Sequence, residues 1–459
     1  MTYLPGVTPR QRLSTGQALP AGERMFQLKP TLKTCSLALL LAVVVIVSSA
    51  GQMLASPASG EPLLSAGAAI LLEQSTGQVL FSKATEQRMY PASLTKLLTA
   101  LVVLEYGGDL DQTVPVGQEL WLVKPNSSRA GLEVGDRVSL RNLIYAMLLP
   151  SGNDAAYVAA VHTARKYRGD PGLSPRDAVS SFAALMNQEA KALGATRSQF
   201  VNPDGYHDAR HYSTAADLAL IAREVMRDEF LRQVVAQETF RLEYVNRGRT
   251  VTSSLTNTNR LIDPNDSLYY AQATGLKTGT TTQAGHCLAA SASGNNLSLI
   301  AIILDSSQFG RWQDARRLLD YGLNQHQLLQ LCKAEEQQLT AKLAAKLPGF
   351  YADATLVSDR SATTVVARAD APRILSDFVW EPSIVTVNDE RIVIRPQAAN
   401  GTAVGKQVFS LDGQQLAEVP LVLRAAEPAY RPSAATVLLL LTLAGMTVAF
   451  LLPIFRRRI

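Results

Sequence analysis

The chain has 459 residues, 47% of them hydrophobic, with 44 Lys and Arg against 39 Asp and Glu for a formal net charge of +5. That length allows about three domains of ordinary size, and the composition excludes a disordered chain, a collagen and a small disulfide-stapled scaffold. A basic balance invites a nucleic-acid reading, but residues 1–34 carry Arg10, Arg12, Arg24, Lys29 and Lys33 against Glu23, Arg456, Arg457 and Arg458 lie at the other end, and residues 35–455 hold 36 cations and 38 anions. The excess is therefore confined to the two tips, and no nucleic-acid partner is expected.

In chain order, residues 1–34 read as a basic tail on the cytoplasmic side of a membrane. Residues 35–55 contain the apolar run Cys35–Ala50, in the charged-then-apolar order of a secretory signal peptide or signal anchor. Ser48 and Ala50 offer a small-x-small cleavage site, whereas the lack of charge from Thr34 to Gly60 equally suits a retained membrane helix. Residues 61–323 form a long mixed block. It opens with a hairpin, Ala68–Leu72 and Gln78–Phe81 about the turn Ser75–Gly77. Helical periodicity follows over Leu94–Glu105, Leu140–Leu149, Asp154–Arg168 and Asp177–Leu193. Strands return at Ala273–Thr280, Gly285–Ala292 and Leu297–Leu304, and an amphipathic helix, Trp312–Tyr321, closes the block. Strands at both ends with helices between predict an α+β domain whose sheet joins the N- and C-terminal strands.

Residues 335–425 alternate strongly, as in Thr363–Arg368, Ile384–Val387 and Arg391–Ile394, with turn signals at Asn388-Asp389, Asn400-Gly401 and Asp412-Gly413. They predict a small all-β domain. Pro428 and Pro432 punctuate a linker, and residues 433–455 carry no charge before the arginines of the tip, 456–459. At about 1.5 Å per residue this run reaches the ~30 Å of a bilayer's hydrocarbon core. The basic cluster just beyond it marks the cytoplasmic side, so it is expected to be a transmembrane anchor with the folded blocks outside the cytoplasm. Cys287 and Cys332 are expected to be separate thiols, and Cys35 lies in the first apolar run.

Three motifs in the 61–323 block carry chemistry. Ser93-Leu94-Thr95-Lys96 precedes a long apolar helix, and positions i and i+3 share a helical face, so the Lys96 amine can sit beside the Ser93 hydroxyl. A serine is a poor nucleophile until a neighbouring base removes its proton, and a helix N-terminus favours the negative charge that develops there. Ser151-Gly152-Asn153 lies on a turn between two helices and by itself is ordinary capping sequence. Lys277-Thr278-Gly279 reads as a strand with a small residue where a substrate backbone could approach. Each is weak alone.

In this order they match the S-x-x-K, S-D-N and K-T-G set of penicillin-binding proteins and class A β-lactamases, with S-G-N here as the second motif. Further elements agree: Pro91–Lys96, Leu193–Thr196, Phe200, Asn202-Pro203-Asp204-Gly205, Tyr212–Leu218, Gly275–Gly279 and Ala284–Leu288. Over about residues 65–323 the chain resembles the serine D-alanyl-D-alanine carboxypeptidases, the low-molecular-mass penicillin-binding proteins. The resemblance implies a penicillin-binding, β-lactamase-like transpeptidase fold followed by a β domain and a C-terminal anchor. It implies Ser93 as nucleophile, Lys96 as base with an amine pKa lowered by burial near a cation such as Lys277, and Ser151 as proton relay to the leaving amine. Asn153 would bond the substrate backbone, Lys277 and Thr278 its terminal carboxylate, and the N–H groups of Ser93 and Thr280 would form the oxyanion hole beside Gly279. Arg311 is a further candidate for the carboxylate.

The substrate implied is the peptidoglycan stem peptide, with β-lactams as covalent inhibitors and the lipid bilayer as the anchor's partner. No cofactor is expected. His207 and His211 have i, i+4 spacing, but a loop sequence precedes them and no third ligand is evident, so they are expected to be polar loop residues rather than metal ligands. A transpeptidase or endopeptidase of the same family is an alternative. A β-lactamase is disfavoured because Glu189 lies in an ordinary helix, and a non-catalytic muropeptide-binding scaffold is disfavoured because no motif is degraded.

Overall fold

The computed structural model describes residues 60–344, 351–388, 391–425 and 442. The predicted tail (1–34), the 35–55 segment with Cys35 and the arginine tip (456–459) lie outside them, as does the 433–455 run apart from Thr442. Among the described residues no helix is long and apolar enough to cross a membrane.

The predicted hairpin is β1 (Ala68–Glu73) and β2 (Val79–Lys83), paired antiparallel. Its turn is fastened by the Glu73 carboxylate, which accepts from the hydroxyls of Ser75 and Thr76 and the Thr76 amide at 2.7–2.8 Å. Burial alone would raise the Glu73 pKa, but these bonds outweigh it and the net shift is downward. A 3₁₀ turn, Ala92–Leu94, leads into α1 (Thr95–Tyr106), with Leu97, Leu98, Ala100 and Val102 buried, as befits a helix running through the core. Then come β3 (Thr113–Pro115), a 3₁₀ turn at Gln118–Leu122, and β4 (Arg137–Ser139).

The helical middle is α2 (Leu140–Leu148), α3 (Asn153–Arg168), α4 (Pro175–Ala192), α5 (Ala215–Arg227) and α6 (Glu229–Val235). Side chains of Ser139, Ser174, Thr214 and Asp228 cap four of these by accepting an N–H of the first turn. A hairpin that periodicity did not predict follows, β5 (Thr239–Asn246) and β6 (Arg249–Thr256). It turns at Arg247-Gly248, both with positive φ. Next are β7 (Ala273–Thr281), β8 (Gly285–Gly294), β9 (Leu297–Ser306) and α7 (Gly310–Gln325), all near their predicted places.

The main sheet has the order β2-β1-β9-β8-β7, so the first strand of the block pairs with its last, Ala68 opposite Leu304, as expected. Alternate residues of each central strand enter different cores. Ile70, Leu72, Ala289, Ile300 and Ile302 face the cluster built with α1–α6, whereas Ala69, Leu71, Leu288, Leu299 and Ile303 face the one built with α7 through Trp312, Leu318 and Leu319. Both faces are therefore dry, which is why these strands are continuous apolar runs in the sequence.

Beyond α7 the described residues up to 425 are strands and their connections, with one 3₁₀ turn at Ala371–Arg373. The strands are β10 (His326–Cys332), β11 (Gln337–Ala344), β12 (Tyr351–Ser358), β13 (Ala362–Ala367), β14 (Leu375–Trp380), β15 (Val385–Asn388), β16 (Arg391–Ile394), β17 (Ala403–Leu411) and β18 (Gln414–Ala425). Seven of these strands form one sheet, β14-β17-β18-β12-β11-β16-β15, and β10 pairs with β13. Gln78, in the first hairpin, bridges the two regions: its amide donates to the Val365 carbonyl at 2.6 Å and accepts from the Val365 N–H at 2.9 Å. Cys287 and Cys332 are both buried free thiols, as expected.

Candidate active site

The first turn of α1 presents the Ser-x-x-Lys pair. Ser93 lies in the preceding 3₁₀ turn and Lys96 in the helix proper, and their side chains meet: Nζ donates to Ser93 Oγ at 2.9 Å. The same Nζ donates to Asn153 Oδ1 at 2.7 Å and to the Asp204 carbonyl at 2.8 Å. Lys96 is fully buried, and burial pulls its amine down to about 8 against the opposing charges of Asp204 and Asp154. The lowering by burial is as expected, and the other lysine of the site lies close enough for the two charges to interact. Lys277 is pushed well below its ordinary value by burial and then by the charges of Lys96 and Arg311.

Each motif residue owes its place to its element. Asn153 starts α3, and the turn before it puts Ser151 at φ 63. Ser151 is buried, and its hydroxyl makes no hydrogen bond among the described residues. Asp154 secures this corner: its carboxylate accepts from the N–H groups of Ala130, Gly131 and Leu132 at 2.8–3.1 Å. Lys277, Thr278 and Gly279 lie on β7, with Lys277 Nζ 3.1 Å from the Thr278 carbonyl. Gly279 faces the nucleophile turn so closely that a Cβ there would lie 3.2 Å from the Ser93 nitrogen. Arg311, on the first turn of α7, reaches the end of β7 and donates to Thr280 Oγ1 at 3.2 Å and to the Gly279 carbonyl at 3.4 Å. Its guanidinium stacks 4.6 Å above the Trp312 ring, and burial lowers its pKa.

A cavity of about 500 Å³ opens over these groups, lined by Ser93, Asn153, Thr280, Ser128, Asp204 and Tyr206 among others. Lys96 and Lys277 are buried outside its lining, as are Ser151 and Thr278. A second cavity, of about 440 Å³, lies beside Glu119 and His162 and contains none of the motif residues.

Sequence reasoning missed three contributors. Asp204 fixes Lys96 through its carbonyl and is among the residues that line the cavity; its carboxyl is raised by burial, and Oδ2 is buried with no hydrogen-bond partner among the described residues. The Asn-Pro-Asp-Gly motif marked this loop but gave no role. Its Gly205 has φ +79, and a Cβ there would fall 1.9 Å from the Ala92 carbonyl, so only glycine lets the loop close on the nucleophile turn. His211 lies in a loop, as expected, but is buried there. It accepts from the Val201 N–H at Nδ1, which leaves Nε2 to donate to Thr95 Oγ1 at 2.8 Å, and burial lowers its pKa to about 4. His207 packs edge-on against Tyr90. Thr258 shares a 2.6 Å hydrogen bond with the Thr278 hydroxyl, and no sequence signal pointed to it.

A buried amine held against a serine hydroxyl at the mouth of a cleft, beside a strand carrying Lys-Thr-Gly, is an arrangement suited to a serine peptidase. The comparisons with known proteins agree with that class. The model of the family Peptidase S11, described as D-alanyl-D-alanine carboxypeptidase, matches residues 55–308, more than half of the chain. The chain is 28% identical over 359 residues to the D-alanyl-D-alanine carboxypeptidase DacF of Bacillus subtilis, covering 78% of this chain and 84% of that one. It is 32% identical to the D-alanyl-D-alanine carboxypeptidase of Streptomyces sp. strain K15 over 60% of this chain and 93% of the relative. Among solved structures, the Streptomyces K15 DD-transpeptidase matches with a TM-score of 0.53 at 32% identity, covering 57% of this chain and 99% of that one. Penicillin binding protein 5 of Haemophilus influenzae, at 24% identity, shares the fold with a TM-score of 0.61 over 79% of this chain and 97% of its own. The chain belongs to the D-alanyl-D-alanine carboxypeptidase family of serine peptidases.

Proposed function

We propose that the protein is a membrane-anchored, extracytoplasmic DD-carboxypeptidase that removes the terminal D-Ala from peptidoglycan pentapeptide stems through an acyl-enzyme on Ser93. The observation that carries this reading is the environment of Lys96 Nζ. A neutral amine has two N–H groups and one lone pair. Asn153 Oδ1 and the Asp204 carbonyl occupy the two donors, so the lone pair faces Ser93 Oγ and takes its proton as Oγ attacks the carbonyl of the D-Ala-D-Ala bond. The N–H groups of Ser93 and Thr280 receive the developing oxyanion. Ser151 passes a proton to the departing amine, and water then hydrolyses the ester. Asn153 holds the substrate backbone, and Lys277, Thr278 and Arg311 take its terminal carboxylate. β-Lactams acylate the same serine.

A labelled penicillin is expected to modify the wild-type protein and not Ser93→Ala; capture of the label by that variant overturns the assignment. With a defined pentapeptide, release of one D-Ala with water as acceptor identifies a carboxypeptidase, whereas a dimeric product identifies a transpeptidase. Anchoring rests on the uncharged 433–455 run and the arginines after it. Truncation after residue 430 is expected to move the protein from the membrane to the soluble fraction if residues 35–55 are cleaved. Intact mass reports that cleavage.

A further inference from the structure

We infer that Thr258 is a positioning residue of the carboxylate subsite: its hydroxyl donates to Thr278 and so commits the Thr278 proton to the substrate's terminal carboxylate. The inference rests on the carboxylate role proposed above for Thr278. The two hydroxyl oxygens are 2.6 Å apart, and each hydroxyl has a single proton. If Thr278 donated to Thr258, it would have no proton left for a ligand. When a carboxylate, which only accepts, enters the cleft, the bond between the threonines must run from Thr258 to Thr278. The resulting chain of two aligned hydroxyls ends on a full negative charge, the arrangement in which each bond strengthens the next.

Thr258 is built to be still. It occupies the turn after β6, between two asparagines that fasten that turn. Asn257 donates through Nδ2 to the Gln237 carbonyl at 3.0 Å and accepts the Asn259 N–H at Oδ1, and Asn259 Oδ1 accepts from the Leu261 N–H. The Thr258 N–H donates to the Leu149 carbonyl at 3.0 Å, two residues before Ser151. One residue thus joins the Ser-Gly-Asn turn through its backbone and the Lys-Thr-Gly strand through its side chain. The backbone bond is kept in Val and Ser variants, which retain the N–H, so loss of the hydroxyl can be examined with that strut intact.

The test compares Thr258→Val and Thr258→Ser with wild type, using benzylpenicillin, which bears a free carboxylate, and its methyl ester, which does not. Thr258→Val is expected to slow acylation by the acid about tenfold, the range for one lost hydrogen bond to a charged group's partner, and to leave the slow acylation by the ester nearly unchanged. KM for a D-Ala-D-Ala peptide should rise by a similar factor with kcat little affected, and Thr258→Ser should restore both. A parallel fall for acid and ester assigns Thr258 a purely structural role and overturns the inference, as does a Thr258→Val protein indistinguishable from wild type on both. Failure of wild-type Ser93 to become acylated is a separate result; it removes the catalytic reading and this inference with it.

Discussion

As the base proposed above, Lys96 should set the pH response of the reaction. Its amine is lowered to about 8 by burial, so the neutral, basic form grows as pH rises through that value. Penicillin acylation is expected to climb about tenfold per pH unit below the midpoint and to level off above it. A flat profile between pH 6 and 9 would remove Lys96 as the base. Lys277 makes a second, opposite statement. Burial and two nearby cations hold its pKa well below the lysine range, and a substrate carboxylate restores the charged form. Binding of a D-Ala-D-Ala peptide to Ser93→Ala should therefore take up protons over the pH range in which Lys277 titrates, read by calorimetry in buffers of different ionisation enthalpy from about pH 6 to 10, and no uptake anywhere in that range would remove Lys277 from the carboxylate site. The sequence placed Ser93, Lys96, Asn153 and Lys277 because they sit in short local motifs. Asp204 and Thr258 were not legible as partners, because each acts through a contact more than about a dozen residues away in the chain, Asp204 on Lys96 and Thr258 on Thr278, which no local pattern encodes.

At the scale of elements, the Asn202–Gly205 loop and the Ala92–Leu94 turn form one device. Asn202 staples the loop by accepting the Gly205 N–H at 2.8 Å and donating to the Tyr206 carbonyl at 2.8 Å. A methyl at Gly205 collides with the Ala92 carbonyl and also demands a left-handed backbone that alanine resists. Gly205→Ala is expected to lower acylation at least tenfold while the protein still folds, since the lesion falls on a loop. Unchanged acylation would show that the loop does not position the nucleophile. Elements with strong periodicity, α2 to α4 and β7 to β9, were readable in advance. The β5–β6 hairpin was not. Its alternation, from Phe240 to Val245, follows a helical stretch directly, and Arg247-Gly248 is a less familiar turn pair than Asn-Gly.

For the whole molecule, the Gln78 side chain ties the first hairpin to the C-terminal β region by several bonds. Gln78 exchanges two hydrogen bonds with the Val365 backbone and accepts a third from Thr364 Oγ1 at 3.2 Å, and Val365 itself enters the core that α7 covers. Gln78→Ala should cost about 1–3 kcal/mol of stability and lower the melting temperature by a few degrees, without changing the rate of Ser93 acylation. An equal loss of acylation would mean that the β region helps to shape the cleft. The all-β character of residues 335–425 was legible from turn pairs and alternation. The attachment was not, because a lone glutamine in a hairpin gives no hint of a partner nearly three hundred residues away.

The order of the main sheet has one more consequence. The Lys-Thr-Gly strand is its last, so β7 has β8 on one side and, among the described residues, no strand on the other. β7 contributes Thr280 and Thr281 to the cavity lining, and on the proposed function an extended peptide laid along its open edge would add a strand by backbone bonds alone. Such a template is indifferent to side chains along the peptide. Discrimination must then come from the end of the peptide, where a free carboxylate meets a small group of hydroxyls and cations, so the fold itself favours an enzyme that reads termini rather than sequences.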